Sequence, residues 1–256
     1  MLLYSELAAW WPILSPHEDY AAHAQRCWGL IQAHATRPIR TILELGAGGG
    51  HLSHHLARVS QAGMTLTDLS PEMLALSRTL NPGCEHIAGD MRSLRLDRTF
   101  DLVVIHDAVM HMNTAADLRA AIDTAHTHCT PGGLAMVLPD WTKETFQPGV
   151  TLCGGPAAAP EHDDATPHAP PGLQARLVEW TWDPDPGDTE FHSHMTYILR
   201  APGEPVRVEQ ELFRLGLFSR DAWAAMLRAA GFTPNRESLA AEGIGADVFF
   251  GLCPVA

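Results

Sequence analysis

The sequence has few basic residues, few cysteines and no long hydrophobic run, and each shortage excludes a class of protein. Its 256 residues include 17 Lys and Arg against 30 Asp and Glu, a formal net charge of −13. No basic stripe is available to neutralise phosphates, which argues against nucleic acid or an anionic membrane surface as a partner. The five cysteines are scattered and never in C-x-x-C spacing. Neither a disulfide framework nor a thiolate zinc site is therefore indicated, and a reducing cytoplasm is expected.

Long apolar segments are missing as well. The stretch at residues 7–14 is short, follows Glu6 and has no cationic flank, so it predicts neither a signal peptide nor a membrane span. With 46% hydrophobic residues, the chain has ample material for the core of one large or two small domains. We therefore expect a small-molecule partner, no nucleic acid, no membrane, and a monomer or homodimer.

The middle of the chain alternates short apolar runs with amphipathic segments, which is typical of βαβ units and a parallel sheet. A helix start follows the second apolar run. Ser70 can cap it, Pro71 suits the first helical position, and Glu72 faces the positive end of the helix dipole. The expected strands cover residues 41–45, 64–68, 85–88, 100–105 and 134–138, with a last one at 248–252.

Segments of different texture flank and interrupt this core. The start of the chain is aromatic-rich and broken by prolines, which predicts a helical cap. A later segment shows period-2 alternation between Pro/Gly/Asp turns, which predicts an antiparallel β insertion. We divide the chain into a cap at 1–38, a core at 39–140, an insertion at 141–215 with a mobile Pro/Ala-rich loop at 153–172, and a return to the core at 216–256.

A glycine-rich segment, ILELGAGGG at residues 42–50, joins the first strand to the first helix. There the backbone must turn sharply and approach a ligand closely, which glycine allows. Asp68 ends the second strand, 18 residues after Gly50. A carboxylate at that place accepts hydrogen bonds from ribose hydroxyls in nucleotide-binding doubly wound folds. The third glycine of a dinucleotide fingerprint is replaced by His51, which counts against a nicotinamide oxidoreductase.

Glu44, Gly46, Gly48 and Gly50 form E-x-G-x-G-x-G, which resembles the first motif of the class I S-adenosylmethionine-dependent methyltransferases. Residues 68–74 and 89–91 are similar to the family's second motif and to its adenine-contacting loop, and residues 100–105 and 130–133 to its fourth strand and the turn before its fifth. The resemblance covers about residues 40–140 and 215–256. It implies an α/β, doubly wound, Rossmann-like seven-stranded sheet and S-adenosyl-L-methionine as the cofactor.

The resemblance also implies roles for individual residues. It places Gly46 and Gly48 against the methionine part of the cofactor and Asp68 on the ribose. Asp90 and Met91 would lie at the adenine edge. These assignments are carried over from the motif positions and remain to be compared with the structure.

Other cofactor contacts are implied less directly. Glu44 would orient the glycine loop or meet the cofactor's amino group. Tyr4 and Tyr20 look like cap tyrosines of the small-molecule branch, which includes some sugar N-methyltransferases, although both could simply pack the cap on the sheet. The expected cofactor-binding set is Tyr4, Tyr20, Glu44, Gly46, Ala47, Gly48, Asp68, Leu69, Met73, Gly89, Asp90, Met91 and His106.

Polar residues follow the fourth and fifth strands, at the edge where ligands lie in this architecture. An amine or hydroxyl acceptor must lose a proton and therefore needs a general base. His106 is the first candidate because it directly follows the fourth strand, although it could equally form a pocket wall without proton transfer. His111 is the second catalytic candidate. The expected acceptor contacts are Asp107, Asp140, Trp141 and Trp180.

The insertion and the histidine excess suggest two further features. Four aromatic residues of the insertion could roof the acceptor or pack the core: Trp180, Trp182, Phe191 and Tyr197. Fifteen histidines raise the question of a metal. The His-x-His pair at 192–194 would put both rings on one face of a strand, and residues 162–168 add further His and Asp. No third ligand stands at a fixed distance, so we expect no metal site.

Three functions remain open from the sequence. The leading one is methyl transfer from S-adenosylmethionine to a small-molecule acceptor by in-line displacement. An alternative is an enzyme that uses the same cofactor for intramolecular cyclisation or cleavage. Another is a non-catalytic, cofactor-binding partner subunit. The ordered motifs favour a methyltransferase.

Overall fold

The computed structural model describes residues 1–154, 172–239 and 247–255. Of the loop expected at 153–172, residues 155–171 lie outside this described part, together with the histidines and aspartates of 162–168. The described strands are β1 Thr41–Leu45, β2 Gly63–Asp68, β3 Glu85–Ala88, β4 Phe100–His106, β5 Cys129–Leu138, β6 Gly149–Cys153, β7 Gln174–Trp182, β8 Glu190–Arg200, β9 Arg207–Gly216, β10 Thr233–Ser238 and β11 Asp247–Leu252. The described α-helices are α1 Trp11–Leu14, α2 Ala21–His34, α3 His51–Ser60, α4 Pro71–Leu80, α5 Ala115–His128 and α6 Arg220–Ala230.

Seven strands form one twisted sheet in the order β10-β11-β5-β4-β1-β2-β3. The pairs from β3 to β5 are parallel, and β11 and β10 are antiparallel to their neighbours. The strand order reverses between β1 and β4, and in doubly wound sheets the crevice at such a point takes the ligand. The expected α/β, Rossmann-like seven-stranded sheet is confirmed.

Local sequence signals explain where the helices begin and end. The Ser70 hydroxyl accepts a hydrogen bond from the Met73 amide at 3.0 Å and caps α4, as the sequence predicts. Thr114 and Ser219 cap α5 and α6 in the same way. Gly231, at a φ of +107°, ends α6 in the left-handed region that favours glycine. The elements that support the crevice are therefore specified locally.

The strands β6, β7, β8 and β9 form a separate antiparallel sheet, in that order. Side chains alternate across it, so that one face carries buried Leu177, Phe191 and Tyr197 and joins the core of the large sheet. Residues of the cap, among them Leu7 and Ile13, belong to the same core. The antiparallel insertion is thus confirmed, whereas the boundaries at 38, 140 and 215 stay predictions.

The cap packs on both faces of the large sheet. Its longest helix, α2, buries Ala24, Cys27 and Ile31 and contacts α3 and β5. The preceding 3₁₀ turn at His17–Tyr20 contacts α3 just beyond the glycine loop. All five cysteines are free thiols. Among the described helices, none is long and apolar enough to cross a membrane.

Candidate active site

A cavity of about 1830 Å³ lies at the carboxyl ends of β1, β2 and β4, between the cap and the insertion. Ligand pockets for one small molecule commonly have about 300–1,000 Å³. This cavity therefore has room for a nucleoside cofactor and a second molecule together. It is lined by all the predicted site residues except Trp180: Tyr4, Tyr20, Glu44, Gly46, Ala47, Gly48, Asp68, Leu69, Met73, Gly89, Asp90, Met91, His106, Asp107, His111, Asp140 and Trp141.

Trp180 is the exception. Its position contradicts the prediction that it contacts the acceptor. On β7 the inward positions are Leu177, Glu179 and Thr181, which line the cavity. Trp180 lies between two of them and therefore points to the opposite face, where 54% of it is exposed. If the alternation along a strand is assigned with a shift of one residue, every side chain of that strand is assigned to the wrong face. Of the other expected roof residues, Phe191 lines the cavity, whereas Trp182 shares the outer face of the sheet.

The glycine loop turns tightly at the floor of the cavity. Gly46 and Gly48 have φ values of +77° and +53°. The amides of Gly46 and Ala47 donate to the carbonyl of Thr67, at 2.9 and 2.8 Å, which fastens the loop to the end of β2. A Cβ on Gly46 would lie 2.5 Å from the Cβ of Ala108. The loop therefore requires glycine for its conformation and for its close approach to the residues after β4.

Asp68 lies beside this loop, as the sequence predicts. Its carboxylate accepts hydrogen bonds from the amides of Gly48 and Ser70, both at 2.8 Å. Burial raises its pKa above the ordinary value, and these amides oppose the shift. Each carboxylate oxygen can accept a second bond. The side chain can therefore hold the glycine loop and still accept bonds from a diol in the cavity.

Glu44 is a buried carboxyl at the end of β1. The hydroxyl of Ser53, in the first turns of α3, donates to it. The hydroxyl of Thr67 donates to its backbone carbonyl at 3.0 Å. Burial raises the pKa of Glu44 to about 7. The carboxyl thus ties β1 to the helix after the glycine loop, in line with the predicted orienting role.

The predicted adenine edge lies beyond Asp68. The Gly89 amide donates to the Asp68 carbonyl at 3.0 Å, which positions the loop that follows β3. The Asp90 carboxylate is held by the guanidinium of Arg92, which also contacts Asp117. These bonds lower the pKa of Asp90. Asp90 is therefore anchored by Arg92 and lines the cavity.

The residues at this end of the cavity fit S-adenosylmethionine. The Asp68 carboxylate, which can accept hydrogen bonds from a diol, lies next to a loop that requires glycine, and apolar side chains lie on both sides. Met91 lies against Gly46, with its Cε 2.7 Å from where a Cβ would be, and the Met73 Cε is 3.6 Å from such a position on Gly48. Among the described lining residues the basic groups are Arg26, Arg92 and Arg214, and Arg92 is paired with Asp90, so no basic cradle for a pyrophosphate is formed there. A nucleoside with an uncharged linkage and an amino-acid tail matches this donor set.

Tyr4 of the cap and His111 after β4 close the cavity from one side. The Tyr4 hydroxyl lies 3.1 Å from Nε2 of His111, and their rings meet edge to face at 5.4 Å. Trp11 and Phe213 complete an aromatic group around Tyr4. Burial raises the pKa of Tyr4 and lowers that of His111 to about 4. Both side chains are therefore neutral near pH 7.

Asp107 and Asp140 face each other across the ends of β4 and β5. Their carboxyl groups are close enough to share a hydrogen bond. Burial within the cavity raises the pKa of Asp107 to about 7 and that of Asp140 well above its ordinary value. Asp107 also has a φ of +45°, a strained backbone for a residue with a side chain. Both side chains remain partly exposed in the open cavity, 42% for Asp107, and they lie close enough for one proton to bridge them.

His106 lies behind this pair and is only 8% exposed. Its Nδ1 is 3.2 Å from an Asp107 carboxylate oxygen, and its Nε2 is 3.0 Å from Nε2 of His23 on α2. Burial lowers its pKa to about 4, so the ring is neutral near pH 7. The expected position beside the pocket is found, but both ring nitrogens already have partners.

Charge in the cavity is strongly one-sided. Among the described lining residues, nine carry carboxyl groups: Glu18, Asp19, Glu44, Asp68, Glu72, Asp90, Asp107, Asp140 and Glu179. Three guanidinium groups, on Arg26, Arg92 and Arg214, oppose them, and Arg92 is paired with Asp90. The segments outside the described part contain no Lys or Arg. The cavity therefore favours a cationic guest.

Two of the polar lining residues that contact the acceptor side, His23 and Glu179, are absent from the sequence-based set. His23 lies one helical turn after Tyr20, so an i, i+3 reading of α2 could have paired them. Glu179 lies between Leu177 and Thr181 on the inward face of β7. An acidic residue on the apolar face of a strand is the signal by which the sequence could have revealed it.

His192 and His194 lie on one face of β8, but it is the outer face, opposite the cavity. No group of three His, Cys, Asp or Glu side chains within the described ranges is arranged to hold a metal ion.

Comparison with known proteins connects this site to an activity. Residues 42–133 match a family model described as a methyltransferase domain. A dTDP-3-amino-3,4,6-trideoxy-alpha-D-glucopyranose N,N-dimethyltransferase of Streptomyces venezuelae is 30% identical over 84% of each chain. A dTDP-3-amino-3,6-dideoxy-alpha-D-glucopyranose N,N-dimethyltransferase of Streptomyces fradiae is 27% identical over 84% of this chain and 78% of its own.

Solved structures agree with these sequence matches. A sugar N-methyltransferase from a Streptoalloteichus species has a TM-score of 0.76 at 21% identity, over 93% of this chain and 90% of its own. An amino pentose methyltransferase from Micromonospora echinaspora, solved with bound S-adenosylmethionine, has a TM-score of 0.70 at 25% identity, over 90% and 91%. The resemblance inferred from the motifs is confirmed, and methyl transfer is favoured over the alternatives. The chain belongs to the class I S-adenosylmethionine-dependent methyltransferases and is an enzyme that uses this cofactor to methylate a small molecule.

Proposed function

We propose that the enzyme methylates the amino group of an amino sugar, in one or two successive rounds. The observation that carries the proposal is the pair of carboxyl groups on Asp107 and Asp140, which face each other inside an acidic cavity. The relatives described above support it, since their names give amino sugars as acceptors and dimethylation as the outcome.

The charge of the cavity suits an amine. Near neutral pH a sugar amine is largely an ammonium ion, and it is attracted by the excess of carboxyl over guanidinium groups, which persists even where Glu44, Asp107 and Asp140 hold protons. A protonated amine has no lone pair for attack, so it must lose a proton first. A hydroxyl acceptor would gain nothing from the same charge, because it is neutral until it is deprotonated.

We assign Asp107 as the general base that accepts this proton. A general base is most effective when its pKa lies near the working pH, and that of Asp107 is raised to about 7. Asp140 holds the shared proton and can donate a hydrogen bond to the ionised Asp107. After the first methyl transfer, the same pair can take the proton of a secondary ammonium, which is what a second round requires.

The histidines predicted to be catalytic take different parts. With a pKa lowered to about 4, His106 is a weak base for an ammonium ion, and we assign it to support Asp107. His111 holds the Tyr4 hydroxyl at the wall of the cavity. We propose that Trp141 contacts the acceptor on the side of Asp140.

When bound, S-adenosylmethionine supplies the methyl group from its sulfonium by in-line displacement. The chain contributes position and water exclusion, which are the main requirements of such a transfer. Asp68 and the glycine loop would hold the nucleoside and the methionine tail, and we propose Tyr4 and Tyr20 as the cover. Asp107 and Asp140 then orient the acceptor nitrogen from the opposite wall.

A matched acceptor panel tests the proposal. The enzyme would be incubated with S-adenosylmethionine and pairs of sugars that differ only in an amino or a hydroxyl group at one carbon. Each pair would be supplied as a dTDP derivative and as a simple glycoside. We expect methylated product and S-adenosylhomocysteine from an amino member only. Methylation of hydroxyl members at comparable rates would contradict the proposal.

Two further expectations accompany it. Five free cysteines fit a reducing compartment such as the cytoplasm. We also propose that the enzyme works as a monomer or a homodimer, which sedimentation at several concentrations would decide.

A further inference from the structure

His23, on the cavity side of α2, contacts His106 and has no part in the function proposed so far. The two Nε2 atoms are 3.0 Å apart, and the ring centroids are separated by 5.0 Å. The other nitrogen of His106, Nδ1, faces the Asp107 carboxylate at 3.2 Å. The three side chains therefore form one continuous chain of contacts from the cap to the acidic pair.

Both imidazoles are neutral near pH 7. Burial lowers the pKa of His106 to about 4 and that of His23 to about 4, and the neighbouring His106 ring contributes to the shift at His23. Each ring then carries a single proton, on one nitrogen or the other. A hydrogen bond between the two Nε2 atoms needs one proton, so one ring donates and the other accepts.

Only two proton arrangements satisfy this chain. In the first, Nε2–H of His23 donates to His106, whose own proton is on Nδ1 and faces the ionised Asp107 carboxylate at 3.2 Å. In the second, Nε2–H of His106 donates to His23, and the bare Nδ1 faces the carboxyl group, which favours a protonated Asp107. The first arrangement stabilises the carboxylate, because an N–H directed at the charged form favours that form.

We infer that His23 is a positioning residue, which holds the proton of His106 on Nδ1 and thereby stabilises the ionised form of Asp107 that accepts the proton of the acceptor. This inference rests on the function proposed above. His23 need not contact the acceptor, since it acts through the His106 ring.

Other charged and titratable groups surround this chain of contacts. On α2, Arg26 and Cys27 flank His23, and burial raises the thiol's pKa to about 12. From the turn before α2, the Tyr20 ring lies 6.2 Å from His106 and its hydroxyl is bonded to Ser15. On the far side of Asp107 stand three further carboxyls, on Glu44, Asp140 and Glu179.

Two variants of His23 separate positioning from packing. His23→Phe keeps a ring but has no donor, whereas His23→Gln places an amide N–H where Nε2–H stands. Gln25→Ala, at an exposed position of the same helix, is the matched control. Circular dichroism would establish that all variants keep the fold.

The first readout needs no acceptor. Two-dimensional ¹⁵N–¹H spectra report which nitrogen of a histidine ring carries the proton, here on the free enzyme labelled at histidine. We expect the Nδ1–H form of His106 above pH 7 in the wild type, in His23→Gln and in Gln25→Ala. We expect a shift toward Nε2–H in His23→Phe. An Nε2–H ring in the wild type above pH 7 would overturn the inference.

The second readout is the pH dependence of kcat/KM with an amino sugar. We expect its acid limb to move upward by about one pH unit in His23→Phe, which is roughly the effect of one hydrogen bond to a charged group. His23→Gln should restore the limb. An unmoved limb in His23→Phe would contradict the inference. If no amine is methylated at all, the proposed function fails, and the ring spectra still test His23 separately.

Discussion

Tyr4 and His111, 107 positions apart in the chain, meet at 3.1 Å between the hydroxyl oxygen and Nε2. This contact joins the N-terminal cap to the turn after β4. The hydroxyl of Ser70 adds a second link, since it donates to the Tyr4 carbonyl at the start of α4. The cap is thereby fixed to both the cofactor end and the acceptor end of the cavity.

Removing the Tyr4 hydroxyl should loosen this junction. In Tyr4→Phe the buried His111 nitrogen loses its partner, which costs about 1–3 kcal/mol of unfolding free energy. We also expect a lower kcat/KM, because water exclusion at the methionine end depends on the cap. Urea unfolding and initial rates would measure the two effects. Tyr197→Phe, whose hydroxyl meets only the sulfur of Met195 among the described contacts, should keep its rate.

Asp68 should be needed for cofactor binding. Asp68→Ala removes the acceptor of the Gly48 and Ser70 amides together with the oxygens that would meet the ribose. We expect calorimetry to show S-adenosylmethionine affinity reduced by about 100-fold, which corresponds to roughly 3 kcal/mol. Asp123→Asn, a surface carboxylate paired with Arg119 on α5, serves as the control. Unchanged affinity in Asp68→Ala would exclude the assigned role.

The acidic pair should set the pH dependence of the reaction. Because burial raises the pKa of Asp107 to about 7, the carboxylate forms only above that pH, and kcat/KM should fall as the pH drops through it. The hydrogen bond from Asp140 lowers the pKa of Asp107, so Asp140→Ala should move the acid limb upward.

Asp107→Asn should reduce kcat by about 10²–10⁴ and leave cofactor affinity intact. A wild-type rate in Asp107→Asn would exclude it as the base.

The histidines at the start of α3 should make the fold sensitive to acid. Burial lowers the pKa of His51 to about 3, against about 6.5 in an unfolded chain. Between these values the unfolded state binds the extra proton, so stability is full above pH 6.5 and falls as the pH decreases. The loss from pH 7.5 to pH 5.5 should be smaller in His51→Gln by about 1.4 kcal/mol. Equal losses in urea unfolding would contradict this.

Local signals account for much of the fold. The Ser70-Pro71 start of α4, the glycine loop and the end of β2 at Asp68 follow from capping, turn chemistry and alternation, and all stand where the sequence predicts. The resemblance implies a seventh strand, but the sequence does not locate β10, because Thr233–Ser238 is polar, contains a proline and lies at the edge of the sheet. Burial there is slight, so the apolar pattern that reveals a strand is absent.

The acceptor side was predicted less completely, because it depends on contacts between distant segments. Alternation identifies β7 as a strand but does not say which of its faces meets the cavity. Trp180 was therefore predicted as an acceptor contact, whereas the neighbouring Glu179 is the residue that lines the cavity. His23 reaches His106 only because α2 packs across the end of β4. The local signals at His23 and Glu179 mark the two residues but do not specify which distant segment each one contacts. The pairing of Asp107 with Asp140, by contrast, follows from two parallel neighbouring strands ending at one edge.

The position of the transferred methyl group tests the central claim most directly. The enzyme would be given S-adenosylmethionine labelled with ¹³C in the methyl group and an amino sugar that also carries free hydroxyls, and the product examined by NMR. We predict the label on nitrogen, with one S-adenosylhomocysteine formed for each methyl group transferred, and a rate of this transfer lower by about 10²–10⁴ in Asp107→Asn. Label on a sugar oxygen, or cofactor consumption without methylated product, would contradict the account.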